Sequence, residues 1–231
     1  TPVSPEVVKA MMDVYTTVHG NPSSTHAPGR KAKALIETSR RTIASLLGVP
    51  PRTICFTSGG TEADNHAIQA AVSCLGVKRI ITSSAEHSAV IKATQQASDR
   101  HQLELVHVQH HEDGQVDMGH LAQLLDVSEK KTLVSLMHAN NEVGVMVDLA
   151  RLSVLCREHG ALLHSDTVQT MGHYPLDLSV VDVDFLACSA HKLHGPKGSG
   201  FLYVNPKLRI DGMIVGGGQE RMLRGGTENV A

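Results

Sequence analysis

The sequence has few aromatic residues, few cysteines and almost no net charge. Only 3% of its 231 residues are aromatic and none is Trp, so a hydrophobic core must be built from aliphatic side chains and Met. Lys and Arg total 21 against 23 Asp and Glu, a net charge of −2. This balance argues against nucleic acid as the main partner, because such proteins carry a basic surface. No apolar run approaches the roughly 20 residues of a membrane span, which argues against a membrane partner.

The four cysteines, Cys55, Cys74, Cys156 and Cys188, are widely spaced and form no C-x-x-C pair. That spacing fits neither a zinc site nor a disulfide framework. We therefore expect the reduced thiols of a cytoplasmic enzyme, with Cys55 and Cys188 buried in strands. The hydrophobic share of 41% and the charged share of 19% are typical of a folded globular chain.

Helical patterns alternate with short apolar runs along most of the chain. The strand-like runs are 53–57, 79–82, 103–108, 132–137, 161–164, 185–188 and 200–204. The helical patterns are 30–47, 61–75, 88–99, 118–125 and 149–159. Because the strands are apolar on both faces and are separated by helices, the pattern predicts an α/β fold around a mostly parallel sheet.

Polar segments follow five of these runs and predict a site. They start at Ser58, Ser84, His138, Ser165 and Ser189. Ligands of such sheets bind beyond the carboxyl ends of the strands. We therefore expect these five segments to meet at one edge of the sheet.

Three of the polar residues or segments match the needs of pyridoxal 5′-phosphate. Ser58-Gly-Gly-Thr61 opens a helix and is either a phosphate site or an ordinary helix cap. Lys192 is either a desolvated amine nucleophile or a surface lysine. Asp166 is either a site carboxylate or a turn residue. Together they supply a phosphate cradle, a lysine for a Schiff base and an acid for the pyridine nitrogen.

Histidine is abundant, with 15 residues, so metal binding must be weighed. The run His107 to Asp113 contains potential ligands but leads into a turn at Gly114, which favours a solvated loop. His191 and His194 flank the lysine, and we interpret them with it rather than as a metal pair. We predict no metal site. His87 is either a group that stacks on a flat ring or a histidine bonded to the start of a helix.

Seven segments, in order along the chain, are distinctive. They are Gly20–Thr25 (GNPSST), Phe56–Glu62 (FTSGGTE), Glu86-His87, Asn140–Glu142 (NNE), His164–Gln169 (HSDTVQ), Ser189–Gly198 (SAHKLHGPKG) and Gly216–Asn229 (GGGQERMLRGGTEN). Together they resemble the NifS-type cysteine desulfurases, which belong to the class V aminotransferase group of fold-type I pyridoxal-phosphate enzymes. The resemblance covers essentially all 231 residues. It implies that residues 1–231 form the large, three-layer α/β/α cofactor domain.

The resemblance also implies roles for individual residues. Lys192 would carry the cofactor and move the substrate's Cα proton, Asp166 would keep the pyridine nitrogen protonated, and His87 would stack on the ring. The remaining cofactor contacts that it implies are Gly60, Thr61, Asn141, Gln169, Ser189, His191 and, from the neighbouring subunit of a homodimer, Thr227.

The implied reaction converts L-cysteine to L-alanine and passes the sulfur, as an enzyme persulfide, to an acceptor protein for iron–sulfur cluster or thio-cofactor supply. None of the four cysteines matches the family's catalytic position. We therefore expect that cysteine, the substrate-carboxylate arginine and a small C-terminal domain to lie beyond residue 231, and an opening segment to precede Thr1. The alternatives are a selenocysteine lyase and a non-catalytic protein that keeps the fold for partner binding. Retention of Lys192 and Asp166 argues against the second.

Overall fold

A computed structural model describes residues 1–231 and contains six α-helices and seven strands. The helices are Pro5–Thr17 (α1), Ala27–Leu46 (α2), Gly60–Ser73 (α3), Ser88–His101 (α4), Met118–Asp126 (α5) and Leu149–Glu158 (α6). The strands are Ile54–Thr57 (β1), Arg79–Ser83 (β2), Glu104–Val108 (β3), Thr132–Ser135 (β4), Leu162–Asp166 (β5), Phe185–Ser189 (β6) and Gly200–Val204 (β7). All seven predicted strands are present. The five predicted helices correspond to α2–α6.

The strands form one sheet in the order β1-β7-β6-β5-β4-β2-β3. Pairing is parallel from β6 through β3, whereas β7 is antiparallel to both β6 and β1. Strand β1 consequently runs in the same direction as β6. The carboxyl ends of β1, β2, β4, β5 and β6 therefore lie at one edge, which confirms the predicted mostly parallel sheet and the common edge.

Helices cover both faces of the sheet. The apolar residues of α3 and α4 pack on one face with Ile80, Leu133 and Phe185. Those of α2, α5 and α6 pack on the other face. The buried side of α3 contains several alanines, including Ala63, Ala67 and Ala71. Their small side chains allow this helix to lie close to the sheet. The arrangement confirms the expected three-layer α/β/α architecture.

Helix α1 was not predicted. It begins with a capping Ser4, whose side chain accepts from the Val7 N–H at 3.3 Å, and with Pro5 at its first turn. None of its residues is buried, and Val8, Met12 and Tyr15 are exposed. The hydrophobic periodicity of this segment gives little evidence for a helix, whereas the capping serine and the proline indicate where a helix begins. No helix in the structure, α1 included, has the length and apolar character needed to cross a membrane.

A buried ion pair joins α2 to a segment near the end of the chain. Arg40 donates to the two carboxylate oxygens of Glu220 at 2.6 and 2.9 Å, and Glu220 also accepts from the Phe56 N–H at 2.8 Å. Glu220, Arg221 and Met222 have φ values of 45°, 57° and 71°, which non-glycine residues adopt at a cost. The ion pair therefore holds a strained segment against β1, the strand that leads into Ser58.

Replacing Arg40 by leucine is expected to destabilise the fold by about 3–5 kcal/mol, because it leaves the Glu220 carboxylate buried without its partner. Urea denaturation measures the effect. The matched control is Arg41→Leu, which removes an exposed arginine of the same helix bonded only to Thr38 Oγ1 and should change stability by about 0.5 kcal/mol or less. Equal destabilisation by the two variants would contradict the proposed importance of the pair.

Candidate functional site

A cavity of about 550 Å³ opens at the sheet edge where the five strands end. Nine of the ten residues assigned to a site from the sequence line it: Gly60, Thr61, His87, Asn141, Asp166, Gln169, Ser189, His191 and Lys192. These residues come from five separate segments, so the topology of the sheet brings them together.

The first wall of the cavity is the N-terminus of α3. Gly59 caps the helix with φ at 148° and offers no side chain to its free N–H groups. A Cβ on Gly60 would lie 2.6 Å from Cγ2 of Val168, so the backbone approaches the neighbouring segment too closely for any larger residue. Exposed helix N–H groups with the positive end of the helix dipole form a site for an anion such as phosphate.

Lys192 lies in a short 3-10 turn over Ala190–Lys192 that directly follows β6. Its backbone is fixed, because its carbonyl accepts from His173 Nε2 at 2.9 Å and from Thr1 Oγ1 at 3.3 Å. The half-buried side chain lines the cavity. Beside it, Ser189 Oγ and His191 Nδ1 are 2.7 Å apart. Burial, with the positive charges of the neighbouring lysines and the N-terminus, lowers the pKa of His191.

Asp166 is the last residue of β5 and is 5% exposed. One of its carboxylate oxygens accepts from the Val168 N–H at 2.8 Å. Burial, and secondarily the negative charge of Asp64, raises its pKa to about 7. Keeping this buried carboxyl group ionised therefore costs free energy, and a nearby cation would offset that cost.

Two further buried acids, Asp64 and Glu86, accompany Asp166. Burial raises the pKa of Asp64 to about 8 and that of Glu86 well above its usual range. Asp64 Oδ1 and Glu86 Oε2 have no hydrogen-bond partner, and none of the three acids pairs with a Lys or Arg. These groups together fit a ligand with an anionic group that binds the N-terminus of α3 and a cationic nitrogen that binds the acids. Pyridoxal 5′-phosphate has both.

Three polar side chains complete the cavity. His87 caps α4 and its Nδ1 accepts from the Ala89 N–H at 3.1 Å, so in the neutral ring the proton is on Nε2. Asn141 is exposed and donates to Glu142 at 2.7 Å. The loop that carries it is held by Asn140, whose side-chain oxygen accepts from the N–H groups of Glu142 and Val143. Gln169 is half-buried in the segment after β5.

Thr227 is the one predicted residue that does not line this cavity. It is exposed and lines an adjacent cavity of about 320 Å³, which shares Ser58 and Gly198 with the first. Within one chain it is therefore separated from the residues with which the sequence grouped it.

The cysteines lie as the sequence predicted. Cys55 and Cys188 are buried strand residues, 1% exposed each, Cys156 is also buried, and all four thiols are free. Burial raises the pKa of Cys156 and Cys188 to about 12 and raises that of Cys55 as well. Such thiols are poor nucleophiles. The histidines of the 107–113 segment do not converge, and no group of three His, Cys, Asp or Glu residues is placed to hold a metal ion.

Several residues that line the cavity were not predicted from the sequence, notably Asp64, Glu142 and Lys197. A signal existed for each of them. Asp64 follows Gly60 by one helical turn, which places it on the same side of α3. Glu142 lies within the polar segment that starts at His138, and Lys197 lies within the distinctive segment Ser189–Gly198.

Replacing Asp166 by asparagine is expected to stabilise the cofactor-free chain at pH 8. A carboxyl group with a raised pKa in the folded state stabilises the fold at low pH, and that stability is lost as the pH rises from about 4 to about 7. The asparagine has no such penalty, so the gain at pH 8 should be on the order of 1 kcal/mol or more. Urea denaturation at pH 5 and pH 8 tests this. A variant less stable than the parent at pH 8 would refute the electrostatic argument.

Comparison with known proteins agrees with this geometry. The chain matches the Aminotransferase class-V family over residues 1–231. It is 42% identical to the cysteine desulfurase IscS of Proteus mirabilis and to that of Klebsiella pneumoniae, covering 98% of this chain and 57% of each relative. The chain thus spans little more than half the length of these relatives.

Solved structures give the same result for the fold. A NifS-like protein superposes with a TM-score of 0.95 at 37% identity, covering 100% of this chain and 63% of that one. A structure described as SspA in complex with cysteine gives a TM-score of 0.92 at 31% identity, with 100% and 67% covered. The predicted fold type and family are confirmed: the chain belongs to the class-V aminotransferase family.

Proposed function

We propose that the chain is the cofactor-binding part of a pyridoxal-phosphate-dependent cysteine desulfurase, which removes sulfur from L-cysteine and leaves L-alanine. The observation that carries the proposal is that Lys192, Asp166 and the N-terminus of α3 line one cavity. The similarity to proteins named cysteine desulfurase supports the substrate class.

The residues divide between the two ends of the ligand. At the anionic end, the helix N–H groups at Gly60 and Thr61 bind the phosphate together with Ser189 and His191. At the cationic end, Asp166 binds the ring nitrogen. Gln169 and Asn141 would donate to the cofactor's ring oxygen, and Asn141 would also lie near the substrate carboxylate.

Lys192 and His87 handle protons. The bound cofactor supplies an electron-withdrawing ring that acidifies the substrate's Cα–H bond. The Lys192 amine would hold the cofactor covalently and, once the substrate amine takes that place, would move the substrate's Cα proton. His87 stacks on the ring, and its Nε2 is free for proton transfer because Nδ1 is occupied by the α4 cap.

Borohydride reduction with pyridoxal 5′-phosphate, followed by peptide mapping, tests the proposal. A pyridoxyl group should be found on Lys192. The most informative alternative is Lys197, the other lysine of the cavity. A label on Lys197 or on surface lysines alone would overturn the assignment.

Sulfur transfer requires an accessible thiolate near the substrate, which the three buried cysteines do not provide. The fourth, Cys74, lies at the C-terminal end of α3, whereas the N-terminal end of this helix lines the cavity. We therefore propose that the persulfide forms on a cysteine of the full-length protein outside this chain and passes to an acceptor protein for iron–sulfur cluster assembly. Mass spectrometry after incubation with L-cysteine should find no added sulfur on any of the four cysteines.

We also propose a homodimer in which Thr227 binds the phosphate of the partner's cofactor. Its separation from the cavity of its own chain supports this arrangement. Thr227→Ala should weaken cofactor affinity about tenfold or more, since a hydrogen bond to a charged group contributes roughly 1.5–3 kcal/mol. Titration measures the loss.

A hybrid dimer of one Thr227→Ala chain and one Lys192→Ala chain is the decisive sample. It contains one site with both Lys192 and Thr227 intact, so half of its sites should bind with parental affinity. If the hybrid binds no better than the Thr227→Ala dimer, Thr227 does not act across the interface.

A further inference from the structure

A second acid, Asp64, lies beside Asp166 in the wall of the cavity. It is on α3, one turn after Gly60, and is 1% exposed. Its Oδ1 atom is 3.4 Å from Nε2 of His164. Neither of these two buried atoms has a hydrogen-bond partner, so their contact is a close approach of two unsatisfied polar atoms rather than a hydrogen bond.

His164 connects the two acids. It is fully buried in β5, two residues before Asp166, so the two side chains point to the same face of the sheet. Its Nδ1 lies 2.8 Å from Ser135 Oγ, a contact that fixes the ring. The helix and the strand thus bring Asp64, His164 and Asp166 into one buried group, which Glu86 approaches from the segment after β2 and His87 from the start of α4.

This group lacks a positive charge. Burial lowers the pKa of His164 to about 4 and raises that of Asp64 to about 8, so the histidine is neutral at pH 7. A cation bound in the cavity would favour the charged form of each acid. An excess of buried acids around a cavity is therefore a binding determinant for a positively charged ligand group.

We propose that Asp64 is a positioning residue for the ring nitrogen of the cofactor: buried against His164 in the same cavity wall as Asp166, its carboxylate adds a second negative charge near that nitrogen and favours the protonated ring. The inference rests on the proposed function, because it takes pyridoxal 5′-phosphate as the ligand. A positioning role predicts one effect that a purely structural role does not. Asp64 should strengthen binding of a charged ring relative to an uncharged ring of the same shape.

Two ligands and two variants test this distinction. The ligands are pyridoxal 5′-phosphate and its carbocyclic analogue, in which a C–H group replaces the ring nitrogen. Asp64→Asn should weaken binding of the first relative to the second by about tenfold. In ¹⁵N NMR of the labelled cofactor, it should lower the pKa of the ring nitrogen by about one unit, the equivalent of that factor. The control is Asp184→Asn, which alters another buried carboxyl group, one that accepts from the Leu163 N–H, and should leave the ratio unchanged.

The outcomes are distinct. Equal weakening of both ligands by Asp64→Asn, or an unchanged ring-nitrogen pKa, would show a merely structural role and overturn the inference. If the asparagine variant does not fold, Asp64→Ser removes the same charge with a smaller side chain and is held to the same criteria. Failure of the parent chain to bind the cofactor through Lys192 would instead overturn the proposed function.

Discussion

Replacing Lys192 by alanine is expected to abolish exchange of the substrate's Cα proton with solvent, a loss of at least about 10³-fold. The amine has two roles in the proposed reaction, the covalent hold on the cofactor and the proton transfer. General acid–base catalysis alone contributes roughly 10²–10⁴-fold. The other lysine that lines the cavity, Lys197, follows the turn closed by the hydrogen bond from the Gly195 N–H to the Ala190 carbonyl, and the proposal gives it no part in proton transfer.

The measurement is deuterium incorporation at Cα of L-alanine in D₂O, followed by NMR. This half-reaction needs no sulfur acceptor, so it isolates the chemistry of the cavity from that of the thiol. Lys78→Ala, which removes an exposed lysine just before β2 at the opposite edge of the sheet, should exchange at the parental rate. Retention of a tenth or more of that rate by Lys192→Ala would exclude the lysine as the base.

The architecture could be predicted because buried elements have recognisable patterns of apolar residues in the sequence. Strands covered on both faces are continuous apolar runs, as in Phe185–Ser189, where every residue is buried. The common edge followed from the parallel direction of the strands, and it led to Lys192 and Asp166 without any knowledge of distances. Helix α1 has no such pattern, since none of its residues is buried.

The electrostatics of the site could not be predicted in the same way. Asp64 is a polar residue within a helix, and its importance depends on how closely α3 packs against His164, which is 100 residues away in sequence and 3.4 Å away in space. The same holds for Arg40 and Glu220, which are separated by 180 residues. A charge pattern in the sequence identifies candidates, but burial and long-range pairing decide which of them become partners.

The conformation of Thr227 presents a similar limit. The resemblance assigned it to the phosphate of the neighbouring subunit, and within its own chain it lines a neighbouring cavity. The structure of one chain leaves the contact across the subunits a prediction. The hybrid dimer experiment addresses that question directly.

Asp166→Asn is expected to slow Cα proton exchange by about 10²-fold or more while weakening cofactor binding far less. An asparagine of the same shape keeps the contact with the Val168 N–H, and the phosphate remains bound at the α3 terminus, so most of the binding contacts persist. The charge that favours a protonated ring nitrogen is lost. The ring then withdraws electrons less strongly, and this effect raises the reaction barrier more than it weakens the bound ground state.

Exchange at saturating cofactor separates the two effects, because incomplete occupancy then contributes nothing to the measured rate. Asp166→Glu serves as the matched variant, since it retains the charge and displaces the carboxylate by one methylene, and it should recover part of the lost rate. Parental exchange by the asparagine variant at saturation, with the entire defect in affinity, would show that Asp166 only binds the ring. In that case the raised pKa of this buried carboxyl group would have no part in catalysis, and the acids of the cavity would serve cofactor affinity alone.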